Sequence, residues 1–198
     1  MILKHRVVIA LVAALAALAA IPVQGQQRVL VLDSQATKVS FTLKATGHEV
    51  EGDFALKSGR IAFDPATGAA SGEIVIDLKS AETGNKSRDK TMRDEVLETG
   101  KHPTAVFRAE KIRGTVPESG AGQVTLDGTL SFHGADHKVS LPARVDVQNG
   151  KVKADTQFEI PYVEWGLHDP SVLMLRVGKV VTVKVHAAGT LEAGAGAK

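Results

Sequence analysis

Cysteine is absent from the 198 residues. No disulfide can form, no thiol nucleophile is available, and a lipoprotein anchor on cysteine is excluded. Aromatic residues are scarce, at 4% of the chain, with one Trp, one Tyr and six Phe. Recurrent catalytic motifs are missing as well: no G-x-S-x-G elbow, no H-E-x-x-H pair, no Walker loop and no G-x-G-x-x-G. These absences turn the reading away from an enzyme. An excess of one charge sign is also lacking. The formal net charge is +2, but Lys4 and Arg6 lie in an N-terminal leader without acidic residues, and 24 less two leaves 22 basic against 22 acidic. A neutral chain has no global attraction for nucleic acid.

Only one long hydrophobic run occurs. Lys4, His5 and Arg6 precede the apolar stretch Val7 to Ala20, and Val23 and Gly25 suit cleavage before Gln26. The pattern predicts a signal peptide over residues 1–25 and export to the periplasm, because the run is too short for a comfortable membrane span. The remaining residues suffice for one domain, expected over 26–192, held by its core alone. Residues 193–198 are small and Gly-rich and are expected to form a disordered tail.

What the chain has in abundance is period-two alternation. Val39, Phe41, Leu43 and Ala45 alternate with Lys38, Ser40, Thr42 and Lys44. Val50, Phe54 and Leu56 continue the pattern, and Ile61 and Phe63 follow after a Ser58-Gly59 turn. Ile74, Ile76 and Leu78 form another set, as do Ala105, Phe107 and Ala109. Val124, Leu126, Gly128, Leu130 and Phe132 share one face. Val139 to Val147 leads into Asn149-Gly150, a type I′ hairpin signal, and Val152 to Ile160 returns. Val181, Val183, Val185 and Ala187 close the series. Alternation of this kind marks strands with one wet and one dry face. About eight antiparallel strands without long helices imply an all-β barrel or sandwich, and the pattern alone does not choose between them. Inward positions such as Ala45, Gly128, Ala143, Ala154 and Ala187 are small. They fit either a barrel with room along its axis or two tightly packed sheets.

The segment TGNKSRDKTMRDEVLETGKHPTAVF, Thr83 to Phe107, interrupts the alternation with mixed charge. Asp89 with Arg93 and Lys90 with Asp94 stand four apart, Thr83 or Asn85 suits an N-cap, and Gly100 with Pro103 suits a stop. A short amphipathic helix over about 84–98 is expected, with Met92 and Val96 on the sheet and its charges in water. His133 and His137 flank an expected Gly134-Ala135-Asp136 turn, where Asp136 would have to join them to complete a metal site. Solvated loop histidines are the plainer reading, and no metal or cofactor is assigned. Tyr162 and Trp165 lie among Pro161, Gly166 and Pro170, as a rim aromatic cluster or as ordinary packing over a barrel end.

Several of these segments together resemble the YceI-like family, exported bacterial polyisoprenoid-binding proteins with a lipocalin-like antiparallel barrel. LDSQATKVSFTLKATGHEVEGDF is similar to the family's opening strand, His-containing loop and G-x-F. IAFDPATGAASGEIVIDLKSAETGN, RDKTMRDEVLETGKHPTAVF and DGTLSFHGADHKVSLP resemble the successive segments, in order, from about Leu30 to Leu191. Val96-Leu97 stands where the family usually has Phe-Phe.

The resemblance implies a closed, lipocalin-like antiparallel barrel of about eight strands, covered by the short helix. It also implies an isoprenoid lipid or isoprenoid quinone as partner, held by a carrier or sequestering protein that leaves room for transient membrane contact. The expected lining is Phe41, Leu43, Phe54, Phe107, Leu130, Phe132, Phe158 and Val183, with Trp165, Met92 and Val96 at the ends. The alternatives are binding of other amphiphiles, such as fatty acids or drugs, and metal-dependent hydrolysis through His133 and His137. No catalytic residue is assigned.

Overall fold

Each alternating segment becomes a strand in the computed structural model, which describes residues 27–172 and 176–194. The expected leader and residues 195–198 of the expected tail lie outside the described residues. The strands are β1 (Arg28–Leu32), β2 (Lys38–Ala45), β3 (His48–Phe63), β4 (Ala70–Glu82), β5 (Thr104–Gly114), β6 (Gly120–Phe132), β7 (Ala135–Gln148), β8 (Lys151–Ile160) and β9 (Val181–Ala193). Between β4 and β5 lie a helix, α1 (Lys86–Thr91), and a π-helical turn, Met92–Val96. Among the described residues no helix is long and apolar enough to cross a membrane.

All pairings are antiparallel, and they close. From β3 the order runs through β4, β5, β6, β7, β8 and β9. The last gap is filled by β1 and β2 in succession. β2 pairs with the start of β3 and with Thr182 to His186 of β9, while β1 pairs with the end of β3 and with Gly189 to Ala193. The two strands therefore share one slot, giving an eight-slot barrel and not a two-sheet sandwich. Closure removes free sheet edges, which would otherwise invite pairing with other chains. Ala193 pairs with Arg28, and Gly194 donates its N–H to the Gln27 carbonyl at 2.6 Å. The order thus extends past residue 192, where the tail was expected to begin.

A register shift replaces an expected turn. Ser58-Gly59 does not separate two strands, because β3 runs continuously through it with a bulge between Leu56 and Ser58. An extra residue inverts the parity of the strand. Phe54 and Leu56 face inward before the bulge, and Ile61 and Phe63 are buried after it. A second shift between Ala109 and Lys111 does the same in β5, so that Phe107 and Ala109 are followed inward by Ile112, opposite Leu126. In one-letter sequence such a parity change looks like a turn. The Asn149-Gly150 hairpin forms as expected, with φ of 51° and 75° and Gln148 paired to Lys151.

The charged segment forms the expected short helix, with Met92 and Val96 on the core, but differs in its end and in the burial of its charges. Asn85 is the N-cap and accepts from the N–H groups of Ser87 and Arg88, both at 3.1 Å. The helix is not stopped by Gly100. It widens into the π turn, where the Leu97 N–H reaches the Met92 carbonyl, and Glu98 takes the left-handed conformation at φ 45°. Nor are all its charges in water. Asp89 is buried and accepts from both the N–H and the hydroxyl of Thr83, while Arg93 donates to the Ala81 carbonyl at 2.8 Å. Only the Lys90–Asp94 half of the expected pairing is an exposed ion pair.

Candidate functional site

The interior of the barrel is the site the architecture defines. Cross-strand partners share a face, so Phe107 opposite Leu130, Leu126 opposite Leu141, Phe158 opposite Val183 and Val39 opposite Phe54 mark the inward wall. Phe107, Leu130, Phe132 and Val183 belong to the main buried cluster, and Leu43, Phe54, Phe158, Trp165, Met92 and Val96 pack against it. Phe41 is buried with its ring 5.1 Å from that of Phe54, over Gly52, where a Cβ would meet its ring at 2.4 Å. Of the expected lining residues, all but Phe41 belong to the buried cluster or pack against it, and Phe41 is buried beside Phe54. Leu97, Leu78, Tyr162 and Leu167 join the buried cluster although none of them was among the expected lining residues. Leu97 could have been found, since it adjoins Val96 in the place where the resembled family carries aromatics.

Burial along the axis is uneven. At the end carrying the Asn149-Gly150 turn, Val147 is fully buried and its partner Val152 nearly so. At the other end Leu97, Leu130, Phe132, Tyr162 and Leu167 are buried. Between them, Leu126, Val139, Leu141, Phe158 and Val185 face inward yet are only half-buried. In the same stretch Thr156, opposite Ala143 and Val185, has its hydroxyl oxygen buried. The small inward residues Ala143, Ala154 and Ala187 lie in the same middle stretch.

Two covers lie over the end opposite the Asn149-Gly150 turn. One is α1 with its π turn, resting Met92, Val96 and Leu97 on the core. The other is the connection from β8 to β9. It is pinned to the β2–β3 turn by Thr46 N–H to the Arg176 carbonyl at 2.9 Å and Gly178 N–H to the Lys44 carbonyl at 2.7 Å. The Tyr162 hydroxyl donates to the Gly178 carbonyl at 2.9 Å, and burial, with a lesser contribution from Asp169, pushes its pKa up to about 12. Tyr162 therefore remains a neutral donor fastening the connection at any physiological pH.

His133 and His137 do not converge. The turn between β6 and β7 is His133-Gly134, with φ of 51° and 81°, and not Gly134-Ala135-Asp136. A two-residue turn places His137 opposite Leu130, on the inward face, where it stacks on Trp165 at 3.7 Å between ring centroids. Asp136 is engaged with Ser131 on the outer wall. The His133–His137–Asp136 set weighed from the sequence as a metal site is therefore not assembled. Its loss reveals polar atoms in the lining instead: His137 Nε2 and Thr156 Oγ1 are buried without a hydrogen-bond partner.

A large depression lies elsewhere. About 700 Å³ opens along the outer faces of β5 to β9, among Arg113, Arg144, Asp155, Lys184 and His186. Its rim is charged and solvent-facing, unlike the apolar interior.

A closed antiparallel barrel with an apolar interior and a covered end defines a lipocalin-like class of protein. The chain belongs to the YceI family, whose YceI-like domain matches residues 30–188. Its fold is shared with BcnA of Burkholderia cenocepacia, at 22% identity over 80% of this chain and 99% of that one, with a TM-score of 0.66. It is also shared with a polyisoprenoid binding domain from Saccharophagus degradans, implicated in plant cell wall breakdown (19% identity, 82% and 98% covered, TM-score 0.67). The Campylobacter jejuni YceI protein is similar at 21% identity, with 71% and 84% covered and a TM-score of 0.56. No curated protein matches the chain.

Proposed function

We propose that this protein binds a long isoprenoid chain, of a polyprenyl lipid or an isoprenoid quinone, inside its barrel, as a periplasmic carrier or sequestering protein. The observation that carries the reading is the half-buried apolar wall of the middle barrel between two sealed ends. An extended apolar chain is the occupant such a wall suits. The likeness of the fold to a polyisoprenoid binding domain supports the same class of ligand, and the leader-like residues 1–25 support export.

A prenyl chain that hides ~600 Å² of apolar surface gains ~15 kcal/mol at ~25 cal/mol per Å². Lost translation, rotation and chain freedom offset several kcal/mol of this, which leaves micromolar to nanomolar affinity. His137 Nε2 and Thr156 Oγ1 supply polar atoms that a head group or a bound water would meet.

The test is extraction of the natively purified protein with organic solvent, followed by mass spectrometry and titration with a fluorescent prenyl probe. An isoprenoid recovered from successive preparations, with saturable probe uptake, is the expected result. Preparations that never carry lipid and never take up the probe would sink the reading, and recovery of fatty acids alone would replace its ligand.

A further inference from the structure

Beside the mouth, Glu98, His102 and His133 come together from two separate parts of the chain. Glu98 and His102 belong to the link between the π turn and β5, and His133 belongs to the β6–β7 turn. One ligating atom of each lies within 4.8 Å of the others. His133 Nε2 is 3.1 Å from Oε2 of Glu98, and the His102 and His133 rings are 4.6 Å apart between centroids. The His133 side chain is only 13% exposed. Its Nε2 is buried and out of line for a hydrogen bond to Glu98, so this nitrogen has none.

The backbone is arranged around this meeting point. Glu98 and His133 both hold positive φ, at 45° and 51°. His is among the residues that adopt this conformation more readily, whereas Glu98 is a less usual occupant of it. Gly134 lets the His102 ring approach, since a Cβ there would stand 3.1 Å from its Cε1. The other carboxylate oxygen of Glu98 accepts from Lys101 at 2.5 Å, and this contact first, with smaller help from His133, holds the Glu98 pKa below its usual value. The carboxylate is thus ionised, and oriented by a neighbour in the manner of an outer-shell partner.

We propose that Glu98, His102 and His133 form a binding site for a zinc-class divalent transition-metal ion, with water as the fourth ligand. Two imidazoles and a carboxylate are a donor set that zinc accepts in open, four-coordinate sites. Bond lengths of about 2.0–2.2 Å place tetrahedral donors about 3.3 Å apart. The Glu98–His133 separation already matches, and a modest swing of the His102 ring completes the set. A bound ion would tie the β6–β7 turn to the start of β5. The site does not depend on lipid binding, and the two are read by different measurements.

The experiment uses the untagged chain, stripped with a chelator and titrated with zinc chloride against a chromophoric chelator, with thermal melts at each ratio. One zinc per chain and a rise in Tm are expected. His133→Asn removes the imidazole while Asn tolerates the left-handed turn, and His102→Gln removes the second ring. Each should weaken zinc binding by more than about tenfold, the scale already reached by loss of an outer-shell partner, and abolish the Tm rise. Melts without zinc show that each variant is folded. His186→Gln, on the outer wall, should bind zinc as the parent does. Zinc binding that survives the His102→Gln, His133→Asn double variant, or a melt insensitive to zinc, would overturn the site and leave only a close His133–Glu98 contact.

Discussion

Asp89 takes its charge into the protein where its neighbour Asp94 leaves its own in water. The difference lies in a single loop residue, Thr83, which donates twice to Asp89 and accepts from Arg88 Nε at 2.8 Å. Four-residue spacing alone would pair Asp89 with Arg93. The structure gives each a hydrogen-bonding partner other than the opposite charge, because a buried polar group needs hydrogen bonds more than a distant opposite charge. On the outer wall, Asp127 shows the opposite situation, an ion pair made across strands. Arg113 donates to it twice, at 2.6 and 2.8 Å, and Ser140 once at 2.6 Å. The Arg113 hydrogen bonds, then that of Ser140, lower its pKa to about 2. A carboxylate depressed on folding stabilises above its unfolded pKa, near 3.9, and that contribution is lost as pH falls through the folded value. The pair is solvent-screened, so Asp127→Asn should cost no more than about 1 kcal/mol at pH 7. Urea unfolding from pH 7 downward should show the gap to the parent narrowing below about pH 4 and closing near pH 2. A gap constant over that range would exclude the linkage.

At the level of elements, the strands were legible because alternation of period two has one structural meaning when it recurs. Their interruptions were less so. Ser58-Gly59 reads as a turn, whereas a bulge there keeps β3 unbroken, since one unpaired residue produces the same break in alternation. Pairing of β1 and β2 in one slot depends on β9, far along the chain, and leaves no local trace. The lining residues were accessible to pattern because they follow from strand parity. The meeting of His102 with His133 was not, because it depends on how the π turn delivers β5 to the β6–β7 turn. Within α1 and its turn, the apolar side now includes Leu97 beside Met92 and Val96. As this element covers the mouth, Met92→Asp and Val96→Asp should weaken retention of a prenyl probe, measured as a faster off-rate, by about tenfold or more. That factor corresponds to about 1.4 kcal/mol, less than the usual worth of a fully buried apolar side chain. Asp94→Asn, on the exposed side, should leave the off-rate unchanged. Equal rates in all three variants would remove the turn from any gating role.

For the whole molecule the question is whether the barrel axis is hollow or filled, and the two states respond to added volume with opposite signs. In a filled core, extra methylenes force side chains off their rotamers and cost about 1–3 kcal/mol. In a hollow one they find unused space, bury further apolar surface and stabilise by about 0.8 kcal/mol per methylene. Ala143 and Ala154 are inward, small and in the half-buried middle of the wall, opposite Thr156 and Val145 respectively. Ala143→Leu and Ala154→Leu should therefore leave stability equal or raised in ligand-free protein, by denaturant unfolding, while reducing prenyl-probe uptake as the space is occupied. Val147, fully buried at the sealed end, provides the contrast: Val147→Phe should destabilise by about 1–3 kcal/mol or more, as overpacking does. If the alanine variants lose stability as Val147→Phe does, the axis is filled and the lipid reading loses its physical basis. If they gain stability while losing the probe, the same space accounts for both results.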